Sequence, residues 1–136
     1  MSMAEGDPDD LRRALAVLGP LEARIMRTIW TGGIGQPFVV RDMLARLPGL
    51  AYTTVMTTLS RLADKRLLVA EAAPGQRAYT YRAAGGPADF LGEVSSQAVK
   101  ELVERYGDVA LAAFAAQLDG LSADQRRRLE RLGRDA

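Results

Sequence analysis

The 136-residue chain contains no cysteine and no histidine. The first absence excludes disulfides, thiolate metal sites and a cysteine nucleophile. The second removes the commonest general base and the commonest metal ligand. Together they exclude Ser-His-Asp hydrolases, Cys-His proteases and nearly all zinc enzymes. Aromatic residues are scarce, at 6% of the chain. No apolar run approaches the roughly 20 residues that cross a bilayer. The opening stretch Met1 to Asp10 is acidic and lacks the charged-then-apolar pattern of a secretory signal. No catalytic residue, no cofactor and no membrane insertion are expected, and the chain reads as a cytoplasmic protein that is not an enzyme.

Charge is nearly balanced, at a formal +1, but unevenly spread. Residues 1–50 carry six arginines and six acids. Residues 51–86 carry Arg61, Lys65, Arg66, Arg77 and Arg82 against Asp64 and Glu71. Residues 87–136 are net acidic, with seven basic and nine acidic side chains. A basic stretch in an otherwise neutral chain fits a nucleic-acid footprint confined to one face.

Apolar spacing divides the chain into short elements. Residues 1–10 are small and acidic and read as frayed, with Asp9-Asp10 capping a short helix through Leu11, Leu15 and Leu18. Leu21, Ile25, Ile29 and Trp30 follow an amphipathic helical period, opened by Pro20 and stopped by Gly32-Gly33. A second helix is expected over Val39 to Leu47, with Val40, Met43, Leu44 and Leu47 inward. A third is expected over Tyr52 to Arg66, with Tyr52, Val55, Leu59 and Leu62 on its inner stripe. Leu67 to Ala72 and Ala78 to Ala83 alternate like two strands around a Pro74-Gly75-Gln76 turn. Tyr79 and Tyr81 share one face of the return strand, and that face is expected to pack on the helices as core.

Beyond Gly85-Gly86-Pro87 the chain is helical again. Phe90, Leu91, Val94, Ala98, Leu102 and Val103 form one stripe, interrupted at Gly107. Val109, Ala112, Ala113, Phe114 and Leu118 form a second, closed by Gly120. Ser122 with Gln125 caps a third helix, with Leu129 and Leu132 inward. These helices are too thin for a closed monomeric core, so a second copy of the chain is the expected partner, with Phe90, Val94, Leu102, Val109, Phe114 and Leu118 at the dimer face.

The third helix carries the chemistry. Thr53, Thr54, Thr57 and Thr58 are poor helix formers compared with the Glu, Lys and Gln of an ordinary solvated face. A threonine offers a hydroxyl to phosphate or base and a methyl to thymine, and a helix start adds free backbone N–H groups. Arg61, two turns on, can reach phosphate or guanine, and Arg77 at the hairpin tip can reach the backbone or a narrow minor groove. The alternatives are a threonine-rich surface helix without a ligand and a hairpin with one solvated arginine. The run Arg126-Arg127-Arg128 with Arg131 and Arg134 is broken by Asp124, Glu130 and Asp135 and reads as a solvated helix face.

The segment Leu18-Gly19-Pro20-Leu21-Glu22-Ala23-Arg24-Ile25-Met26-Arg27-Thr28-Ile29-Trp30 resembles the opening helix of the BlaI/MecI/CopY family of bacterial repressors. Tyr52 to Leu62, followed by Lys65 and Leu67-Leu68, is similar to that family's recognition helix. The resemblance runs from Leu18 to Leu132. It implies a mainly α fold with a small β-hairpin: an N-terminal extension over 1–17, a winged helix-turn-helix DNA-binding domain over 18–84 and a helical dimerisation region over 87–136. It also implies a homodimeric repressor that occludes a double-stranded pseudo-palindromic operator, controlling genes such as a β-lactamase or a membrane sensor protease, and so bearing on antibiotic resistance. Thr53, Thr54, Met56, Thr57 and Arg61 then occupy DNA-facing positions and Arg77 the wing. A membrane-linked sensor protease is the implied releasing partner, with the cleavage position at Ala113-Phe114. The best-known branch has Asn-Phe there, so this chain departs from it. The paired cysteines of the copper-responsive branch are missing, which excludes copper sensing by thiolates. A winged-helix protein-interaction module and a ligand-responsive regulator are the competing classes.

Overall fold

A computed structural model describes residues 7–72, 74, 75 and 78–135. Along the chain it forms α1 (Pro8–Ala16), α2 (Pro20–Trp30), α3 (Val40–Leu44), α4 (Tyr52–Asp64), β1 (Leu68–Ala72), β2 (Tyr79–Ala83), α5 (Pro87–Tyr106), α6 (Asp108–Asp119) and α7 (Ala123–Asp135). Three helices followed by a β-hairpin make a winged helix-turn-helix out of α2, α3, α4, β1 and β2. The chain divides into two compact units, Met1–Glu93 and Val94–Ala136, with the division inside α5.

The first unit has a closed core. In α2, Ile25, Met26, Ile29 and Trp30 are buried, as their spacing requires. Val55, Leu59 and Leu62 of α4 are fully shielded from solvent and face Met43 and Leu47 of the helix-turn-helix in the same apolar cluster. The helical part of α3 is shorter than the expected Val39 to Leu47, because two turns carry the chain on from Ala45 and still bury Leu47. α4 ends in a Schellman turn, in which the Leu67 N–H donates to the Leu62 carbonyl at 2.9 Å. Arg66 supplies the left-handed residue this turn needs, at φ 67°.

The α1 helix begins earlier than its acidic sequence suggests. Asp7 is its N-cap, accepting the Asp9 N–H at 2.8 Å, and Pro8 takes the first helical position. Residues 7–10 are therefore ordered rather than frayed, and the rest of the stretch expected to fray, residues 1–6, lies outside the described residues. Ala14 and Leu15 of this helix belong to the core, and Leu11 and Leu18 pack against it.

The wing is antiparallel, with Leu68 opposite Ala83 and Ala72 opposite Tyr79. Phe38 adds a third short rung: it exchanges two backbone hydrogen bonds with Tyr81, at 2.9 and 2.7 Å. The two rings stack with centroids 6.0 Å apart. Tyr81 is buried, as expected. Tyr79 is not: it is 53% exposed, which corrects the expectation that both tyrosines are core. The pair shares a strand face, but Tyr79 stands opposite Ala72 at the outer end of the hairpin, past the point where Phe38 can cover it.

The hairpin leads into α5 through a fixed joint. The Trp30 indole N–H donates to the Gly85 carbonyl at 2.9 Å. The Asp89 carboxylate accepts the Gly86 N–H at 2.8 Å. The Phe90 ring lies 6.2 Å from that of Trp30, so this residue, grouped above with the dimer face, packs within its own unit.

The second unit differs in kind. Gly107, at φ 65° and ψ −145°, breaks the helical run between α5 and α6 in a conformation open essentially to glycine alone. Ser122 and Gln125 cap α7 reciprocally, at 2.9 and 3.2 Å. Yet among its described residues Ala110 alone is buried. Leu129 and Leu132, expected inward, are 44% and 60% exposed.

Candidate nucleic-acid interface

The exposed face of α4 is built from side chains that an ordinary solvated helix avoids. Thr53, Thr54, Met56, Thr57, Ser60 and Arg61 are all exposed, while Val55, Leu59 and Leu62 hold the helix to the core from the other side. Tyr52 was expected on the inner stripe and is 44% exposed instead. It opens the helix one turn ahead of Val55 and Leu59, so it projects past the packed part of α4. Thr58 separates from the other threonines. It is buried, and its hydroxyl donates to the Thr54 carbonyl one turn back at 2.8 Å, which satisfies it inside the protein.

The start of α4 is left open. Its N-cap is Ala51, whose side chain offers no acceptor, so the first-turn N–H groups lack a side-chain cap. Those donors, the threonine hydroxyls around them and the positive end of the helix dipole all favour an anion at this end. Beside them runs an open groove of about 480 Å³ lined by Gly19, Pro20, Leu21 and Glu22 of the α2 start and by Thr53, Thr54, Thr57, Thr58 and Arg61. Arg61 makes no salt bridge among the described residues. Its guanidinium is therefore available to an external acceptor.

Two other basic groups of this unit are engaged. Arg82 on β2 pairs with Glu71 across the hairpin at 3.2 Å. Lys65 pairs with Glu22 at 2.9 Å. That second pair joins residues 43 positions apart, and no sequence signal links them. At the wing tip Pro74 and Gly75 are exposed. Arg77 lies outside the described residues.

The second unit contains the remaining residues expected at a dimer face. Leu102, Val109 and Leu118 are 41%, 74% and 46% exposed, and Val94 and Phe114 are half-buried. The α6 helix is apolar without interruption from Val109 to Ala116. Among the described residues no group of three or more acidic side chains converges as a metal site would require. No helix among them is long and apolar enough to cross a membrane.

No curated protein sequence matches the chain. Among solved structures it is similar to a MarR/EmrR family transcriptional regulator from Acinetobacter sp. ADP1, at 15% identity and a TM-score of 0.42, over 89% of this chain and 87% of that one. The penicillinase repressor family model matches residues 18–134, which spans α2 to α7 and nearly all of the sequence. With that match, the winged helix-turn-helix and the open, threonine-rich face of α4, the chain belongs to the penicillinase repressor family of DNA-binding transcriptional regulators.

Proposed function

We propose that the protein is a homodimeric repressor that works in the cytoplasm by occluding a promoter at a pseudo-palindromic operator. The observation that carries this reading is the exposed face of α4, where Thr53, Thr54, Met56, Thr57 and Arg61 stand free beside an uncapped helix start. In the major groove the threonine methyls and Met56 meet thymine methyl groups, and Arg61 meets guanine or phosphate. Arg77 at the wing holds the backbone. Two copies set half-sites about one helical turn apart, or a multiple of it.

The second unit supports the dimer. Leu102, Val109, Leu118, Leu129 and Leu132 are exposed, and a helix apolar all round, as α6 is, normally lies buried. Val94 and Phe114 complete the face. The resemblance to β-lactamase repressors suggests a β-lactamase or sensor-protease gene as target, with release by cleavage near Ala113-Phe114. That bond lies inside α6, so a protease has to unwind the helix to reach it.

The test is selection of bound fragments from genomic DNA, followed by anisotropy titration across a salt series. A recurrent palindrome is the expected result. Arg61→Ala should weaken binding to that site about tenfold and flatten the log–log salt slope by about 0.9 if the arginine sits on a phosphate, with the dimer intact. Equal affinity of wild type and variant for the selected site would remove α4 as the reader.

A further inference from the structure

The groove beside α4 contains one acid that DNA reading does not need. Glu22, in the first turn of α2, has a side chain only 13% exposed. Its two carboxylate oxygens accept Lys65 Nζ at 3.0 and 2.9 Å, and one of them also accepts the Gly19 N–H at 3.4 Å. Lys65 caps the C-terminal end of α4. Thr54, Arg61 and Lys65 are spaced by seven and four residues and so lie along one side of that helix. Glu22 thus lines the same groove as Thr53, Thr57 and Arg61 while holding the next cation of their row.

A pair with one exposed partner contributes little to stability. Its effect on an approaching polyanion is larger. The carboxylate places a fixed negative charge beside a surface that a phosphate backbone must enter, and it occupies a lysine that would otherwise add one phosphate contact. Sequence-independent binding is made almost wholly of such contacts, whereas operator binding adds base contacts.

We infer that Glu22 is a specificity-determining residue: by pairing with Lys65, it keeps that lysine off the phosphate backbone and weakens binding to DNA of arbitrary sequence. This rests on the reading of α4 as the DNA-facing helix.

The experiment measures anisotropy of a fluorescein-labelled random-sequence duplex, and of the duplex recovered by genomic selection, over a salt series. It uses the full chain as wild type, E22Q, K65Q and E22Q/K65Q. The glutamine of E22Q keeps the shape and an acceptor for Gly19, and thermal melts by circular dichroism verify that each variant folds. E22Q is expected to bind the random duplex about tenfold more tightly at low salt, with a log–log slope steeper by about 0.9. The gain on the selected duplex is smaller, so discrimination falls. K65Q alone should keep the wild-type slope and bind no more tightly than wild type, because it removes no phosphate contact and leaves the carboxylate unpaired, and E22Q/K65Q should return to the wild-type slope. An unchanged slope in E22Q overturns the inference, as does a K65Q slope already flatter by one contact. An equal gain on both duplexes removes the claim on specificity. In any of these cases a weakened Arg61→Ala variant would leave the DNA-facing role of α4 standing. If wild type binds neither duplex, that role fails and the inference with it.

Discussion

The two units of this chain are built from similar helical sequence and reach opposite states of burial. In Met1–Glu93, residues from four helices and the hairpin meet in one cluster, and Ile25, Met26, Val55, Leu59 and Leu62 lose all contact with solvent. In Val94–Ala136, three helical segments carry comparable apolar residues, yet Ala110 alone of those described is buried. Amphipathic periodicity secures a helix; burial needs a second surface. The first unit supplies its own surfaces through β1, β2 and the turns around α3. The second has only helices with their apolar sides exposed, and its missing surface is, on the reading proposed above, the same segment of another copy.

This contrast is open to direct attack. The largest effect is expected from Leu59→Ala. It removes a fully buried side chain from the first unit and should cost about 2–5 kcal/mol, lowering the thermal midpoint equally at every protein concentration. Phe114→Glu follows, because a carboxylate in an apolar interface is strongly disfavoured. Sedimentation should show the dimer dissociating at concentrations where wild type stays paired. A dimer of unchanged strength would place Phe114 outside the interface. Leu132→Ala is the matched deletion in the second unit. Its midpoint should fall only at concentrations where the protein is dimeric, since a contact made between copies stabilises by mass action. A concentration-independent loss would mean that Leu132 packs within its own chain. Ser122→Ala should cost about 1 kcal/mol by removing one half of the α7 cap, read as lost helicity in far-ultraviolet circular dichroism. The smallest change is a gain: Arg66→Gly relieves the left-handed backbone at the end of α4 and should raise stability by about 0.5 kcal/mol in chemical denaturation.

Much of the first unit was legible in the sequence because local signals there agree with the packed result. Pro20 and Gly32-Gly33 bound α2, the Val55-Leu59-Leu62 stripe faces the core, and the strands lie within a residue of their expected starts. The exposed face of α4 was legible for the same reason: once the stripe is fixed, Thr53, Thr54, Thr57 and Arg61 can only point away. What escaped notice depended on where each element ends relative to its neighbours. Tyr52 and Tyr79 carry the right period but stand past the end of the packed region. Thr58 looks like its neighbours in sequence, and only its position on the buried side diverts its hydroxyl to Thr54. The pairing of Glu22 with Lys65 was not readable at all, because it exists only once α2 and α4 have been brought together.

The α1 helix bears on how this protein should be cut and compared. The family match begins at residue 18, whereas the packed unit already includes Ala14 and Leu15. A fragment trimmed to the shared boundary would strip a helix from its seat on α2 and return apolar surface to water, at a cost of about 1.5–3 kcal/mol for one leucine. Homology defines the portion that relatives have in common. The piece that has to be expressed intact starts at least as far back as Asp7, and a grafted domain or truncation series that ignores this would report the instability of a damaged core as a property of DNA binding.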